Sequence, residues 1–235
     1  MSAPRVAAIH DLSCFGRCSL TVVMPTLSVM GVQCCPVPTA CLSTHTGGFA
    51  GSTFLDLTDQ MSPITGHWQS LGLIFDGVYT GFMGSLEQIG RTADFIRAFR
   101  RPGCHIVVDP VMGDHGRPYR TYTPEMCRAM SALAELAGVL TPNATEAALL
   151  LGEDYEAVRL DREADCRRWA KRLSRDGACS VVLKGVSLSP ETVGAVCFDR
   201  ESGETSFVSA PLVPGQFHGT GDLFASVLTG ALVRG

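Results

Sequence analysis

Short apolar runs alternate with stretches of helical periodicity along this chain, and this alternation limits its possible folds more than any other feature. The pattern predicts a strand at Arg5–His10, a helix at Ser19–Met30 and a second strand at Val32–Pro38. Strands that are separated by helical segments are typical of parallel βαβ units. The sequence therefore predicts an α/β fold.

The same alternation continues along the rest of the chain. Gly77–Met83 is predicted to be a strand, and the spacing of Leu86, Ile89, Ala93 and Ile96 places these four residues on one face of a helix. The further predicted elements are a strand at Cys104–Val108, a helix opened by Thr123-Pro124-Glu125, a strand at Gly138–Leu140, a helix within Asp161–Asp176, a strand at Val181–Leu183, a hairpin of Val193–Phe198 with Thr205–Val208, and a helix at Leu223–Val233.

Length and charge restrict the class of protein. A chain of 235 residues can bury one sizeable core, so we expect a single domain. The net charge of −4 and the absence of a long basic run argue against a nucleic-acid partner. No run reaches the roughly 18 apolar residues of a membrane helix, and the first residues lack the pattern of a secretion signal. We therefore expect a cytoplasmic protein without a membrane partner.

The ten cysteines favour neither a disulfide framework nor a metal site. They are scattered through apolar segments, and none form a Cys-x-x-Cys pair. Cys34 and Cys35 are adjacent, so in a strand they point to opposite faces. We predict reduced, buried thiols and assign no metal to cysteine.

The segment Gly219-Thr220-Gly221-Asp222 is the most informative site feature, because it leads directly into an apolar helical stretch. Glycines let backbone N–H groups approach a ligand, and the start of a helix favours an anion. A carboxylate would only repel a phosphate, but it suits the removal of a proton from an attacking hydroxyl. The segment predicts phosphoryl transfer with Asp222 as the base; the plainer alternative is a helix start with a capping aspartate.

Two further acids and a lysine are predicted to lie at the same edge of the sheet. Asp109 follows a buried strand, Lys184 follows another, and Glu146 lies near the start of a helix that Thr141-Pro142-Asn143 opens. Two carboxylates suit a hydrated Mg²⁺, and the lysine could offset phosphate charge. The alternatives are a strand terminator for Asp109, a helix-start charge for Glu146 and a solvated lysine.

Candidate substrate contacts lie nearer the start of the chain. The loop Ala40–Thr53 is rich in Gly, Ser and Thr and contains His45, which we expect to bind substrate rather than act as a base. Asp11 could accept a hydrogen bond from a substrate hydroxyl, or cap the next segment. Phe82 could be core or a platform for a flat ring. Val111–Tyr122 is predicted to be a mobile loop that could act as a flap.

Two common nucleotide motifs are absent from the sequence. There is no Gly-x-x-x-x-Gly-Lys-Ser/Thr and no strand-linked Gly-x-Gly-x-x-Gly. A P-loop and a dinucleotide fingerprint are therefore excluded. A phosphate site in this chain must be built in another way.

Four motifs in order give the chain a family resemblance. They are Ser43-Thr44-His45-Thr46-Gly47, Asp109-Pro110-Val111-Met112-Gly113-Asp114, Thr141-Pro142-Asn143-Ala144-Thr145-Glu146 and Gly219-Thr220-Gly221-Asp222. With them the chain resembles the ribokinase superfamily from Val6 to Gly235, and within it the pyridoxal kinases. The resemblance implies an α/β three-layer sandwich, with a central mostly parallel sheet and helices on both faces, and a homodimer.

The resemblance also implies a role for each candidate residue. Asp222 becomes the general base, and the amides of Gly219, Thr220 and Gly221 stabilise the transferring phosphoryl group. The Mg-ATP side is implied to comprise Asp109 and Glu146 at the metal, and Asp114, Asn143 and Lys184 at the nucleotide. The pyridine ring is implied to contact Asp11, His45, Thr46 and Phe82. The implied co-substrate is ATP with Mg²⁺, with room for a monovalent cation.

The chain departs from the pyridoxal kinase pattern at two residues. Asp11 stands where many pyridoxal kinases have serine, and Lys184 where several have a hydroxyl residue, which is closer to the hydroxymethylpyrimidine kinases. The alternatives are therefore a hydroxymethylpyrimidine kinase of thiamine synthesis and a non-catalytic vitamin B6-binding protein. Family members continue beyond the last helix, so we expect one ribokinase-like domain, 1–235, that ends short of their C-terminal segment.

Overall fold

The structure of the protein, a computed structural model, describes residues 3–45, 47, 49–158, 160–215 and 217–235. The chain forms two compact units, Met1–Val107 with Gln216–Gly235, and Val108–Gly215. The strands are β1 (Arg5–Phe15), β2 (Gln33–Thr44), β3 (Phe54–Asp56), β4 (Gly77–Thr80), β5 (His105–Val108), β6 (Gly113–Asp114), β7 (Arg117–Pro118), β8 (Val139–Leu140), β9 (Ser180–Val186), β10 (Thr192–Phe198) and β11 (Thr205–Pro211). The helices are α1 (Leu20–Val29), α2 (Thr58–Ser70), α3 (Leu86–Phe99), α4 (Pro124–Ala134), α5 (Ala144–Leu151), α6 (Glu163–Leu173) and α7 (Thr220–Arg234).

The first unit is built around a sheet with the order β5-β4-β1-β2-β3. β1 pairs in parallel with β2 and with β4, and β3 adds an antiparallel edge. Residues 6–9 of β1 are wholly buried, as expected of a central parallel strand. Because β1 is central and parallel to both neighbours, its carboxyl end lies at the edge of the sheet where open α/β sheets bind ligands.

The second unit contains strands in the order β11-β10-β9-β8. β8 and β9 are parallel, and β10 and β11 form the predicted hairpin against β9. The fold class is α/β with a mostly parallel sheet and helices, as predicted.

Side-chain caps fix where several helices begin. The Ser85 hydroxyl accepts a hydrogen bond from Gln88 N at the start of α3, and Thr123 caps α4 in the same way. Asn143 caps α5 within a capping box that Glu146 completes. The predicted starts of α4 and α5 at Thr-Pro motifs are thereby confirmed.

Several predicted boundaries were wrong. β1 continues to Phe15, so Asp11 lies inside this strand rather than after it. β2 continues to Thr44, which places the first residues of the predicted loop Ala40–Thr53 in a strand, because Leu42 pairs with both β1 and β3. Lys184 lies inside β9, which runs on to Val186. β4 ends at Thr80, short of the predicted Met83.

The cysteine prediction holds for redox state but not for burial. All ten cysteines are free thiols, and Cys166 and Cys179 are buried. Cys14 is exposed and the other seven are half-buried. Among the described residues, no helix combines the length and the apolar character needed to cross a membrane.

Candidate active site

Asp11 lies at an irregularity in the pairing of β1 with β2. His10 is opposite Pro38 and Leu12 is opposite Cys41, so two residues of β2 face the single residue Asp11. Such bulges redirect a side chain and are common next to active sites. Asp11 is nevertheless only 5% exposed, so its carboxylate needs partners.

Two serine hydroxyls supply those partners. Ser19 Oγ donates to Asp11 Oδ1 at 2.6 Å, and Ser13 Oγ donates to Asp11 Oδ2 at 3.0 Å. Burial raises the pKa of Asp11, while the hydrogen bonds from Ser19 and Ser13 and the nearby His45 lower it. Asp11 is thus a buried carboxyl group that its neighbours hold in a fixed orientation.

His45 lies against the backbone of a glycine at the end of β1. A Cβ on Gly16 would come within 2.1 Å of the His45 ring, and Gly16 has φ +85°, so another side chain would fit neither the space nor the backbone. His45 Nδ1 accepts a hydrogen bond from Gly47 N at 3.2 Å. In a neutral ring this leaves the proton on Nε2.

A second histidine packs on His45. The ring centroids of His45 and His218 are 4.4 Å apart, and Phe49 packs edge-on against His45 at 4.9 Å. Burial lowers the pKa of His45, and the neighbouring His218 lowers it further, while Asp11 raises it. His218 directly precedes the Gly-Thr-Gly-Asp motif, so this contact joins the two predicted substrate and phosphate segments.

The start of α7 requires the glycine that the motif supplies. Gly219 is the N-cap residue with φ +77°, and a Cβ there would lie 2.2 Å from the backbone oxygen of Arg17. Gly219 O accepts the first helical hydrogen bond, from Leu223 N. The following N–H groups form the open first turn of the helix. The segment predicted to bind an anion is therefore a helix N-terminus in close contact with the segment after β1, and anion binding there stays a prediction.

Asp222 is half-buried in the first turn of α7, and its Oδ2 accepts a hydrogen bond from Ser19 N at 2.8 Å. A backbone donor from another segment thus holds one oxygen of the carboxylate. Thr220 is exposed, and its hydroxyl donates to Phe217 O. Gly221 is half-buried within this turn.

The other predicted ring contacts are less defined. Phe82 follows β4, the strand paired with β1, and its side chain is half-buried. Thr46 lies outside the described residues. The first unit therefore brings together Asp11, His45 and the segment Gly219–Asp222, and Phe82 and Thr46 stay predictions.

In the second unit, Asp109 and Lys184 form a buried ion pair. Lys184 Nζ lies 2.7 Å from Asp109 Oδ1, and the side chains are 15% and 2% exposed. The pairing of β9 with β10 shifts register beside Lys184, between Ala195 and Gly194. A bulge there redirects the side chains of the strand, which is why a lysine inside a strand can reach Asp109.

Glu146 and Asn143 are both occupied by the helix start. Glu146 Oε2 accepts from Asn143 N at 2.7 Å, and Asn143 Oδ1 accepts from Glu146 N at 2.9 Å. Asn143 Nδ2 donates to Gly113 O. Burial raises the pKa of Glu146 to about 8; nearby Lys184 lowers it and Asp109 raises it. Glu146 therefore completes a cap and also belongs to a charged group with Asp109 and Lys184.

The donor chemistry of this group fits Mg²⁺. Asp109 and Glu146 are carboxylates, each 2% exposed, that interact electrostatically with each other. Mg²⁺ prefers oxygen ligands, and proteins usually bind it through only one or two carboxylates while it keeps several waters. A cation bound there would favour the ionised forms of both acids. Within the described residues, no group of three or more His, Cys, Asp or Glu could hold a metal ion.

The predicted mobile loop Val111–Tyr122 contains a short hairpin. β6 and β7 pair antiparallel, Asn143 holds Gly113 O, and Gly116 N donates to Thr145 Oγ1. Asp114 is exposed on this hairpin, and its Oδ1 accepts from His115 N. The hairpin is thus tied to the start of α5, and nucleotide binding by Asp114 stays a prediction.

Sequence reasoning missed Ser13, Ser19 and His218. Ser13 lies two residues after Asp11 and His218 directly precedes Gly219, so closeness in the chain was a usable signal. Ser19 precedes a helix, where serine usually indicates an N-cap. Its contact with Asp222 joins residues 203 apart in the chain, and no local pattern reveals such a contact.

Comparison with known proteins identifies the family. The family model described as phosphomethylpyrimidine kinase matches residues 20–235. The chain belongs to the phosphomethylpyrimidine kinase family. It is similar to the crystal structure, with pyridoxal, of a candidate phosphomethylpyrimidine kinase from Bacteroides thetaiotaomicron. That likeness has 43% identity and a TM-score of 0.92, and it covers 99% of this chain and 81% of the other.

Two pyridoxal kinases are also similar to this member of the family. The pyridoxal kinase of Lactobacillus plantarum has 31% identity and a TM-score of 0.89, and it matches over 100% of this chain and 82% of its own. A candidate pyridoxal kinase of Caenorhabditis elegans is 34% identical over 157 residues, which are 64% of this chain. The chain spans 46% of the length of that curated relative.

Proposed function

We propose that this phosphomethylpyrimidine kinase family member transfers a phosphoryl group from ATP to the 5′-hydroxymethyl group of pyridoxal, pyridoxine or pyridoxamine. The observation that carries the proposal is the position of Asp222. Its carboxylate lies in the first turn of α7, and the segment that follows β1 holds it there. A proton acceptor beside helix N–H donors is what phosphoryl transfer to an alcohol requires.

The proposed reaction is a direct in-line transfer. Asp222 takes the proton of the hydroxymethyl group, the alcohol oxygen bonds to the γ-phosphorus, and the bond from that phosphorus to the bridging oxygen of ADP breaks. The products are the phosphate ester and ADP, and the proton resides on the Asp222 carboxylate. Little covalent chemistry falls to the protein, so its rate enhancement comes from positioning and electrostatics.

The first turn of α7 stabilises the charge that develops on the transferring group. The N–H groups of Gly219, Thr220 and Gly221 belong to a helix N-terminus, whose partial positive charge favours phosphoryl oxygens. Asp11 and His45 are the proposed ring contacts. Asp11 offers a carboxylate acceptor, and the neutral His45 ring offers one donor, so together they suit a ring that carries both a hydroxyl and a ring nitrogen.

The residues of the second unit suit the nucleotide side. Asp109 and Glu146 would hold Mg²⁺, which when bound would neutralise phosphate charge and polarise the phosphoryl group. Lys184 supplies a cation that is held by Asp109. By the family resemblance we assign Asn143 and Asp114 to nucleotide contacts. By the same resemblance we assign the loop Val111–Tyr122, which contains the β6–β7 hairpin, to a flap that closes over ATP. A homodimer, a cytoplasmic location and the single-domain organisation stay predictions.

A coupled ADP-release assay tests the proposal. Pyridoxal, pyridoxine, pyridoxamine, hydroxymethylpyrimidine and ribose are each offered as the sole acceptor with Mg-ATP. We expect turnover with a B6 vitamer, and a fall of at least about 10²-fold in kcat for Asp222→Asn. The control variant is Asp94→Asn, because Asp94 is an exposed aspartate paired with Arg97 on α3. Near-normal turnover in Asp222→Asn would remove the base assignment.

The second candidate is a hydroxymethylpyrimidine kinase. The description of the matching family and the carboxylate at Asp11 favour it. An aminopyrimidine presents an amino group, and a carboxylate accepts from an amino group more readily than a serine does. Faster ADP release with hydroxymethylpyrimidine than with every vitamer would establish this alternative. Binding of pyridoxal without any ADP release would indicate the non-catalytic vitamin-binding protein.

A further inference from the structure

One residue contacts both the carboxylate proposed for ring recognition and the carboxylate proposed as the base. Ser19 Oγ donates to Asp11 Oδ1 at 2.6 Å, and Ser19 N donates to Asp222 Oδ2 at 2.8 Å. Ser19 is 7% exposed, so both hydrogen bonds are shielded from water. Hydrogen bonds to charged groups are stronger than those between neutral groups, and burial strengthens them further.

The backbone of Ser19 is in a conformation that serine rarely adopts. Its φ is 50° and its ψ is −135°. This region corresponds to the first central position of a type II′ turn, which glycine dominates. A serine there persists only where its surroundings hold it in place.

The serine hydroxyl is also not used for the usual purpose of this position. Ser19 is the N-cap residue of α1, but its side chain makes no capping hydrogen bond. The hydroxyl instead contacts Asp11, eight residues earlier in the chain. Both the strained backbone and the missing cap are explained if Ser19 is needed to hydrogen-bond the carboxylates of Asp11 and Asp222.

We propose that Ser19 is a positioning residue that sets the ring-binding group and the base relative to each other. Its hydroxyl anchors the residue to Asp11, and this anchor keeps the strained backbone turned so that its N–H orients Asp222. The inference rests on the proposed function. It adds that recognition of the ring and activation of the hydroxyl depend on one turn of the chain.

Replacement by alanine and by glycine separates the two hydrogen bonds. Both variants lose the hydroxyl, so each should raise the KM for the vitamer by about tenfold. In Ser19→Ala the strained backbone loses its anchor and relaxes, so the N–H turns from Asp222 and kcat falls by about tenfold or more. Glycine adopts this backbone without strain. Ser19→Gly should therefore keep a kcat several times higher than that of Ser19→Ala.

Two other serines provide the comparison. Ser13 donates to the other oxygen of Asp11, so Ser13→Ala should raise KM while it leaves kcat within about twofold, because it leaves the contact with Asp222 in place. Ser28 is exposed on α1, and Ser28→Ala should match the wild type in both constants. Thermal unfolding gives a readout that does not depend on enzymatic activity. Ser19→Gly should melt about 2 °C or more above Ser19→Ala, because glycine keeps the native turn and its contacts without strain, whereas alanine gives up those contacts when its backbone relaxes.

The outcomes separate the two proposals. If the wild type releases no ADP with any acceptor, the proposed function fails and the role of Ser19 fails with it. Two results with an active wild type would refute the role of Ser19 and leave the proposed function standing. One is the same kcat in Ser19→Ala and Ser19→Gly. The other is a fall in kcat in Ser13→Ala as large as the fall in Ser19→Ala. A split in kcat between alanine and glycine, with KM raised in both, supports the inference.

Discussion

His10 should make the protein lose stability as the pH falls, and replacement by phenylalanine should remove that loss. The side chain is wholly buried in β1, against Gly81, with Tyr79 edge-on at 4.4 Å. Within the described part of the chain neither ring nitrogen has a hydrogen-bond partner. Burial lowers the pKa of His10 from 6.5 to about 3. The folded protein therefore keeps this histidine neutral at any pH above about 3.

The size of the effect follows from proton linkage. Below pH 6.5 the unfolded chain binds a proton at His10 that the folded chain does not bind, so the free energy of unfolding decreases as the pH falls. The limiting slope is about 1.4 kcal/mol per pH unit. Between pH 7 and pH 5 the loss from this residue sums to about 2 kcal/mol.

Urea unfolding of wild type and His10→Phe at both pH values measures this loss. The phenylalanine keeps the aromatic contact with Tyr79, and any packing cost cancels when the two pH values are subtracted. We expect the wild type to lose about 2 kcal/mol more than the variant on going from pH 7 to pH 5. His67→Gln, at an exposed histidine of α2, is the control and should lose as much as the wild type. Equal losses in wild type and His10→Phe would refute the reasoning.

Three further predictions concern Gly219 in the first unit and Glu146 and Lys184 in the second. Gly219→Ala should cost about 2 kcal/mol more in unfolding free energy than Gly203→Ala, because both have φ above +70° but only the Cβ at Gly219 would meet the backbone. The stability of Glu146→Gln relative to wild type should rise as the pH goes from 6 to 8, because the raised pKa of Glu146 means that its ionisation opposes folding of the wild type. Urea unfolding measures this difference, and the same pH dependence in both proteins would contradict the prediction. Lys184→Met should cost about 3 kcal/mol because it leaves Asp109 buried without its partner, and adding Asp109→Asn should recover most of that loss in the same assay.

The order of the secondary-structure elements could be predicted because its signals are local. Apolar runs at Cys104–Val108 and Val181–Leu183 and the helical spacing after Leu86 all mark real elements. The ends of these elements were less predictable than their order. β1 runs five residues past the predicted His10, because Leu12, Ser13 and Phe15 find partners on β2 that are about thirty residues away in the chain.

The residues of the candidate site could be named from the sequence, but the contacts between them could not. The rule that carboxyl ends of strands and helix starts share an edge pointed to Asp109, Glu146 and Asp222. It did not show that Lys184 lies inside a strand and pairs with an acid 75 residues earlier. The capping role of Glu146 was readable, since Asn-x-x-Glu at a helix start is the capping-box pattern.

The side chain of Asn143 restricts which residue can occupy its position. Its oxygen caps α5, and its Nδ2 group reaches the carbonyl of Gly113 on the hairpin. Aspartate could replace the acceptor but not the donor, and serine is too short to span both partners. Only an amide of this length satisfies both contacts. The side chain of Asn143 therefore links the turn that carries Glu146 to the hairpin that carries Asp114. Replacement of Asn143 by an acidic or a hydroxyl side chain would therefore lose at least one of these two contacts.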